Sequence, residues 1–409
     1  MNANPAPEHQ SRRRTLYREV ALADARSPGS QRGLSVLVEA GRITWIRPAD
    51  DEPDPGAADG LEVVDASGCT IVPGMVDCHS HVTGPGGAHW IDRFLDPPQR
   101  SLEVAELNGR LARAAGVAWL RDVGSMIAVD PVDGRERALA LGVRDRWHAR
   151  ARGDVPYIRA AGAWIFGAGA GISERDVQAA NGDELVAAVT RQLDDGADLV
   201  KLYLDGPDPA IAPWSVDEVR RAVEVAHGRG KKVTAHSGRL DGARVGAEAA
   251  VDSLEHGFEL DADVAATMQR NVVALVSTLA VMESWLTFGA TTTLPRFATD
   301  EGRSKILERR ERAQESVRIA HRAGVAICAG TDFGGGSLRA NQLAWEVESL
   351  VVAGLEPWEA LAAATWRGGE LLGEPDAGSI REGGPADFFL VHGDPLSDPR
   401  ALWRVWRTG

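Results

Sequence analysis

A change in sequence pattern begins at PGMVDCHSH, residues 73–81. From there to about Ala363, short apolar runs alternate with segments of helical periodicity. The apolar runs predict eight strands, at residues 75–80, 118–123, 157–161, 199–204, 232–236, 253–256, 272–277 and 325–331. The segments between them predict helices, for example at residues 184–195, 216–227, 264–270 and 304–323. Eight strand–helix units in this order favour an α/β fold of the (β/α)8 TIM-barrel type, and an open doubly wound sheet is the alternative.

Segments with β character lie on both sides of this alternation. Residues 35–39 and 42–46 flank Ala40-Gly41, which predicts a hairpin, and residues 386–391 and 402–406 again have strand character. Because isolated strands cannot bury their faces, we expect one small β-sandwich domain formed by both termini. The expected division is residues 1–72 and 377–409 for the two parts of this β domain, and residues 73–376 for the barrel.

Composition narrows the classes of function. The 409 residues include 45 Lys+Arg and 59 Asp+Glu, which gives a formal net charge of −14 and argues against nonspecific nucleic-acid binding. No run approaches the roughly 18 apolar residues that a membrane helix needs. The three cysteines have no CxxC spacing, so a disulfide framework is not expected. We expect a cytoplasmic enzyme with a small-molecule substrate and no nucleic-acid or membrane partner, and we leave open a homo-oligomer.

The strongest local signal for chemistry is the pair His79 and His81 in the first predicted barrel strand. Side chains alternate between the faces of a strand, so both imidazoles point the same way. In a barrel this direction can be inward at the carboxyl end of the strand, where two imidazoles can bind one metal ion. Two satisfied histidines at a strand end are the alternative, because an HxH pattern alone has moderate specificity.

Four further polar residues fall at the ends of later predicted strands, namely Lys201, His236, His256 and Asp332. Inward polar groups without partners are costly to bury, and a shared divalent cation would partner all of them. Taken alone, Lys201 is better explained as an ordinary lysine that extends from a strand end into solvent, and only the ordered set favours a metal ligand.

This set of residues resembles the amidohydrolase superfamily. Further motifs resemble its imidazolonepropionase-like and prolidase-like dipeptidase branch: GADLVK (196–201), SLEHG (253–257), AGTD (329–332) and AGLEPWEAL (353–361). The resemblance extends over nearly the whole chain, including the tail motif GGPAD at residues 383–387. One segment departs from it, because relatives often carry Gly-Gly-His-Gly after the third strand, where this chain has Ala170 in place of the histidine.

The resemblance implies a binuclear centre of two divalent ions. Zinc is the expected metal because imidazole and carboxylate ligands suit it, and manganese or iron would fit as well. It implies six ligands: His79, His81, Lys201, His236, His256 and Asp332. His79 and His81 would bind the more buried ion together with Asp332, and the two later histidines would bind the second. Lys201 would be carboxylated by CO2 and would bridge both ions, because an ammonium is repelled by dications whereas a carbamate is an anionic oxygen ligand.

The resemblance also implies a reaction. A bridging hydroxide activated by the metals would attack the substrate, and Asp332 would take the proton and pass it to the leaving amine. Tyr203 lies two residues beyond Lys201 on the same strand face, so it is a second catalytic candidate that would donate to the carbonyl oxygen; packing at the barrel mouth is the alternative.

The expected activity is metal-dependent hydrolysis of an amide or peptide-like bond in a dipeptide or an N-acyl amino acid. Two alternatives stay open, because function is set by the site and its loops. The same centre would serve a cyclic amidase, an esterase or a deaminase, and a barrel of this kind could also be a non-catalytic metal-binding scaffold.

Several other residues are expected to have structural roles. For Arg121 we favour a structural ion pair over a contact with a substrate carboxylate. Trp90, Trp164 and Trp285 fall in predicted βα loops, where packing is favoured and an apolar pocket is the alternative. Glu346 follows the last strand and is expected to face other elements or solvent.

Overall fold

The computed structural model describes residues 14–55, 60–150, 153–171 and 176–408. The strands in this part of the chain are β1 (Arg14–Leu22), β2 (Gln31–Glu39), β3 (Arg42–Pro48), β4 (Leu61–Asp65), β5 (Cys69–Pro73), β6 (Met75–Ser80), β7 (Val117–Asp122), β8 (Ile127–Val129), β9 (Glu136–Ala138), β10 (Tyr157–Gly167), β11 (Val177–Ala179), β12 (Leu199–Tyr203), β13 (Lys232–Ser237), β14 (Ser253–His256), β15 (Ala274–Ser277), β16 (Ile327–Ala329), β17 (Phe388–His392) and β18 (Val405–Thr408).

The α-helices lie mainly between the barrel strands. They are α1 (Trp90–Arg93), α2 (Pro98–Ala114), α3 (Leu139–His148), α4 (Gly182–Asp194), α5 (Val216–Gly228), α6 (Leu240–Glu248), α7 (Ala262–Arg270), α8 (Ala280–Phe288), α9 (Pro295–Ala298), α10 (Asp300–Arg322), α11 (Leu343–Ala353), α12 (Pro357–Ala363) and α13 (Trp366–Leu372). Two of them begin at residues with strong capping chemistry. Asn181 accepts from the first turn of α4, and Ser215 forms a capping box with Glu218 at the start of α5.

The eight predicted barrel strands are all present and parallel. They follow in chain order as β6, β7, β10, β12, β13, β14, β15 and β16, and a bridge between Ser80 and Phe333 brings the last strand back to the first. This nearly closed ring confirms the (β/α)8 barrel and excludes the open doubly wound sheet. The strand interiors are apolar because both faces are covered, as at Val200 and Leu202.

Several strand boundaries differ from the prediction, and three of these differences have a visible cause. The third barrel strand, β10, runs on to Gly167, because its extension pairs with β11. The seventh begins only at Ala274, since Val272 has a φ of 57° and an exposed side chain. The expected strand at residues 402–406 begins only at Val405, because the Asp398 side chain caps a 3-10 turn before it.

The small β domain expected from both termini is confirmed as a mixed sheet of strand order β18-β17-β5-β1-β2-β3, with β4 paired to β1. The predicted hairpin joins β2 and β3, and Ala40 and Gly41 both have positive φ, as a two-residue hairpin turn requires. Strand β17 pairs with β5, which brings the carboxyl-terminal segment to the amino-terminal one. The division at residues 72 and 376 stays a prediction, and residues 1–13 of the expected first part lie outside the described residues.

No helix in the described ranges is long and apolar enough to span a bilayer. The expected cytoplasmic location and the possible homo-oligomer stay predictions.

Candidate metal centre

His79 and His81 converge on one carboxylate at the carboxyl end of the first barrel strand. Both side chains are buried, and their ring centroids lie 5.3 Å apart. The Nε2 atom of His79 is 3.4 Å from Asp332 Oδ1, and the Nε2 atom of His81 is 3.3 Å from the same oxygen. The alternation of β6 therefore directs both rings to the place where the segment after the last strand returns.

The opposite nitrogen of each ring is fixed by a hydrogen bond. His81 Nδ1 donates to the carbonyl oxygen of Gly124 at 2.7 Å, and His79 Nδ1 donates to Glu255 Oε2 at 2.6 Å. Because both partners are acceptors, each neutral ring carries its proton on Nδ1 and keeps a lone pair on Nε2. Two lone pairs that face one carboxylate oxygen form an arrangement that a cation would stabilise. Fixing the outer nitrogen in this way is typical of metal-binding histidines.

Glu255 is a functional residue that the sequence reasoning missed. Its carboxylate is fully buried and also accepts from Arg121 Nη2 at 2.6 Å, so Arg121 forms the favoured structural ion pair. Burial raises the pKa of Glu255, but the Arg121 guanidinium and the His79 ring outweigh this effect and hold the pKa well below its usual range. The available signal was an acidic residue inside an apolar strand, which requires a charged partner.

Asp332 and His256 have unusual backbone conformations. Their φ angles are 55° and 71°, in the left-handed region that residues other than glycine rarely adopt, at a cost of roughly 1–3 kcal/mol each. The Asp332 amide donates to the His79 carbonyl oxygen at 2.8 Å.

A glycine run after Asp332 closes this part of the site. A side chain at Gly335 would overlap the imidazole ring of His81 and crowd the Asp332 carboxylate. Only glycine leaves room for the loop to pass over these two groups at this distance.

The ring of His256 joins the first two histidines to His236. The ring centroid of His256 lies 4.6 Å from the centroid of His79 and 4.6 Å from that of His236. His256 Nδ1 is 2.8 Å from Thr278 Oγ1. The ligand atoms of His79, His256 and Asp332 all lie within 4.8 Å of one another. This is a spacing at which one ion can be shared.

His236 has one engaged and one free nitrogen. Its Nε2 lies 3.4 Å from Asp205 Oδ2, a residue that the sequence reasoning did not select. Its Nδ1 is buried and has no hydrogen-bond partner in the described part of the chain. Burial lowers the pKa of His236, which favours the neutral imidazole that a metal requires.

The Lys201 amine is the most unusual group of the site. Its side chain is 1% exposed, yet Nζ has no hydrogen-bond partner among the described residues. Burial lowers its pKa to about 8, although Glu255 and Asp332 act in the opposite direction. A buried amine without a partner is costly, so these residues fit an added group that would engage Nζ.

Tyr203 lies beside Lys201 on the same strand face, as expected. Its ring stacks on His236 at a centroid distance of 4.3 Å, and Lys201 Nζ lies 5.7 Å from the ring centroid. Burial raises the pKa of the phenol, which therefore stays protonated and able to donate. The geometry is compatible with both the donor role and the packing role.

Two structural expectations are corrected or refined. Trp164 lies within β10 and not in a loop, because the strand extends to pair with β11, and its ring contacts His81 edge-on at 5.4 Å. Glu346 faces other elements and not solvent: it is fully buried and accepts from Ser277 Oγ at 2.6 Å and from the Ala280 amide at 2.7 Å. Ala170 lies in the turn after β10, where its amide donates to the Gly167 carbonyl oxygen at 3.0 Å.

Comparison with known proteins agrees with this geometry. Residues 70–407 match the family described as the amidohydrolase family. An uncharacterized protein of Mycobacterium tuberculosis is 32% identical over 376 residues, which is 91% of each chain. Imidazolonepropionase of Anaeromyxobacter dehalogenans is 28% identical and covers 91% of this chain and 87% of its own. The crystal structure of a Xaa-Pro dipeptidase with bound methionine shares the fold, with a TM-score of 0.79 and 24% identity over 96% of this chain and 97% of that chain.

Proposed function

This chain belongs to the amidohydrolase family, and from that premise we propose that it is a metal-dependent hydrolase of a dipeptide or an N-acyl amino acid. It is an enzyme that acts on C–N bonds. The observation that carries the finer proposal is the buried amine of Lys201, which has no hydrogen-bond partner in the described part of the chain and lies next to convergent imidazoles and carboxylates. Such an amine is costly to bury alone, whereas a metal centre would engage it.

The proposed ligands of two divalent ions are His79, His81, Lys201, His236, His256 and Asp332. Imidazole and carboxylate donors suit zinc. In the proposal the neutral Lys201 amine forms a C–N bond with CO2 and releases one proton, and the resulting carbamate is an anionic oxygen ligand. The lowered pKa of Lys201, about 8, supplies the neutral amine that this step needs. Divalent ions bound here would lower the pKa of a water molecule and polarise a carbonyl group.

The protein's own residues orient the reaction. Asp332 accepts the proton of the attacking water on its carboxylate and delivers it to the nitrogen of the leaving amine. Tyr203 donates its phenolic proton in a hydrogen bond to the carbonyl oxygen as negative charge develops there. Glu255 and the Gly124 carbonyl hold the rings of His79 and His81 in one orientation.

The test combines metal content with hydrolysis. We expect about two bound metal ions per chain and release of amine from a panel of dipeptides and N-acyl amino acids, lost with a chelator and restored by zinc. Full activity of the metal-free protein would contradict the proposal. Turnover confined to cyclic amides, esters or amino-purine substrates would favour the first alternative, and two metals without any turnover would favour a scaffold.

A further inference from the structure

A separate pocket lies between the segments that follow the first and the seventh barrel strands. Its volume is about 450 Å³, and its walls include Trp90, Trp285, Phe297 and Ile306. The rings of Trp90 and Trp285 are parallel within 11° at a centroid distance of 5.8 Å, and Phe297 lies within 6.4 Å of both. Such aromatic walls suit a flat or large apolar group.

Arg309, on α10, supplies an unmatched positive charge at this pocket. Its guanidinium lies 4.6 Å from the Phe258 ring centroid and 5.8 Å from that of Trp285. It makes no hydrogen bond or ion pair with any residue that the structure describes, although it is only partly exposed. The Nε1 atom of Trp285 is likewise buried without an acceptor in the described ranges. The Arg309 guanidinium is thus the group in the pocket wall whose donors no described residue accepts.

The neighbouring charges do not neutralise Arg309. Arg239 and Arg312 both pair with Glu259, at 2.7 and 2.9 Å, so this one carboxylate is shared between two guanidinium groups. Asp205 is already engaged by His236 and by the Gly238 amide. A protein of net charge −14 therefore has a local excess of positive charge at this point, which would attract an anion.

The pocket is adjacent to the candidate metal centre. Phe258 follows His256 by two residues, and their ring centroids are 5.1 Å apart. The Arg309 guanidinium packs on this same Phe258 ring. The buried Phe258 ring is therefore in contact with both His256 and the Arg309 guanidinium, which places Arg309 close to the centre.

We infer that this pocket binds the amino-acid half of the substrate, with Arg309 as the residue that recognises its carboxylate and the aromatic walls as the site for an aromatic or large aliphatic side chain. The planar guanidinium can donate two parallel hydrogen bonds to a carboxylate. The inference rests on the proposed function and narrows it to N-acyl amino acids or dipeptides with an aromatic or bulky carboxyl-terminal residue.

The test compares N-acetyl-L-phenylalanine with N-acetyl-phenethylamine, which lacks only the carboxylate. For Arg309→Met we expect KM for the first compound to rise by about tenfold to a hundredfold, with kcat changed little and the second compound unaffected. Arg309→Lys keeps the charge without the paired donors and should fall in between. Arg322→Met, near the end of the same helix in an exposed pair with Glu315, is the matched control and should resemble the unmodified protein.

A second variant tests whether the aromatic walls of the pocket bind the side chain of the substrate. Trp285→Ala should reduce the preference for N-acetyl-L-phenylalanine over N-acetyl-L-alanine, measured as a ratio of kcat/KM values. Equal losses on both compounds would contradict a specificity role.

A binding measurement separates this inference from the proposed function. Binding of N-acetyl-L-phenylalanine is measured by the quenching of tryptophan emission. Binding that depends on Arg309 without any hydrolysis would refute the function and support the pocket. Hydrolysis of the panel with no preference for the carboxylate, or an equal effect of Arg309→Met on both compounds, would refute the pocket and leave the function standing. If the protein shows no binding and no hydrolysis, both the pocket and the proposed function are refuted.

Discussion

At the scale of single residues, the Lys201 amine is the group on which the proposed chemistry of the site depends. Its burial without a partner among the described residues is costly, and an added group that engages Nζ would remove this cost. For Lys201→Ala we therefore expect fewer than two metal ions per chain by emission spectroscopy and a loss of at least about a hundredfold in kcat/KM, as typical for loss of a metal-site ligand. Lys231→Ala, at a half-exposed position just before β13, is the control. An unchanged metal stoichiometry would remove Lys201 from the centre.

The second prediction at this scale concerns the buried carboxylate of Glu255. For Glu255→Gln we expect a loss of roughly 3–5 kcal/mol in the free energy of unfolding, because Arg121 would keep a buried charge without its partner. Metal affinity should fall as well, since the His79 ring loses its carboxylate. Denaturant titration and metal titration measure the two effects. Glu374 forms a partly exposed ion pair with Arg159 and provides the control. Glu374→Gln should lose less than about 1 kcal/mol in the free energy of unfolding. Equal losses for the two variants would contradict the role of burial.

These two residues also show what the sequence could predict about the site. The HxH pair and the later strand ends were identifiable because each is a polar residue at the end of an apolar run. Glu255 and Arg309 were not, because their importance depends on which charges lie beside them across strands and helices. Asp205 became apparent only when β12 and β13 were paired, with Tyr203 opposite His236.

At the scale of elements, the loop after β16 determines the geometry of the centre. The Gly335 position faces the His81 ring so closely that a methyl group must displace it. For Gly335→Ala we expect metal affinity to fall by about tenfold or more with a near-native circular dichroism spectrum. Gly228→Ala, where nothing lies within 4 Å of the new atom, is the control. Normal metal binding by Gly335→Ala would show that this loop does not constrain His81.

Helix α11 contributes a pH-dependent contact through Glu346. Burial raises the pKa of this carboxyl to about 8, so the folded protein holds a proton that the unfolded chain releases above about pH 4.5. Its contribution to stability is therefore fully present at low pH and is lost as pH rises through 8. For Glu346→Gln, which keeps a neutral hydrogen-bonding group, we expect the stability relative to the unmodified protein to increase with pH.

The difference should reach on the order of a few kcal/mol above pH 8, measured by denaturant unfolding at several pH values. Glu348→Gln, on the same helix, is the control and should show no such trend. A constant difference between pH 5 and 8 for Glu346→Gln would indicate that Glu346 is ionised throughout.

Element boundaries show where sequence patterns lose information. All eight barrel strands were predicted, because buried parallel strands are continuous apolar runs. The extension of β10 was not, since it depends on pairing with β11, which lies 10 residues beyond it in the chain. Trp164 was therefore placed in a loop, although it lies in a strand next to His81.

At the scale of the whole molecule, the barrel and the terminal sheet share one continuous segment. Strand β5 of the sheet ends at Pro73, and the first barrel strand begins at Met75, two residues later. Strand β17 covers β5 over its whole length. Deletion of residues 377–409 should therefore abolish soluble, cooperatively folded protein, because β5 would become an exposed edge.

Soluble yield and thermal unfolding test this expectation. Removal of residue 409 alone is the control. A truncated protein that folds and binds two metal ions would show that the barrel is independent of the carboxyl-terminal segment, in line with the division proposed at residue 376.

The pairing of Phe388 with Pro73 has a consequence for biosynthesis. The strand that carries His79 and His81 emerges early from the ribosome, but its neighbouring sheet strand acquires a partner only after more than 300 further residues have been made. Throughout that interval the nascent chain holds two exposed imidazoles and an unfinished apolar layer. Because the proposed ligands extend to Asp332, the proposed centre can be completed only late in synthesis, and we expect the incomplete chain to be prone to aggregation.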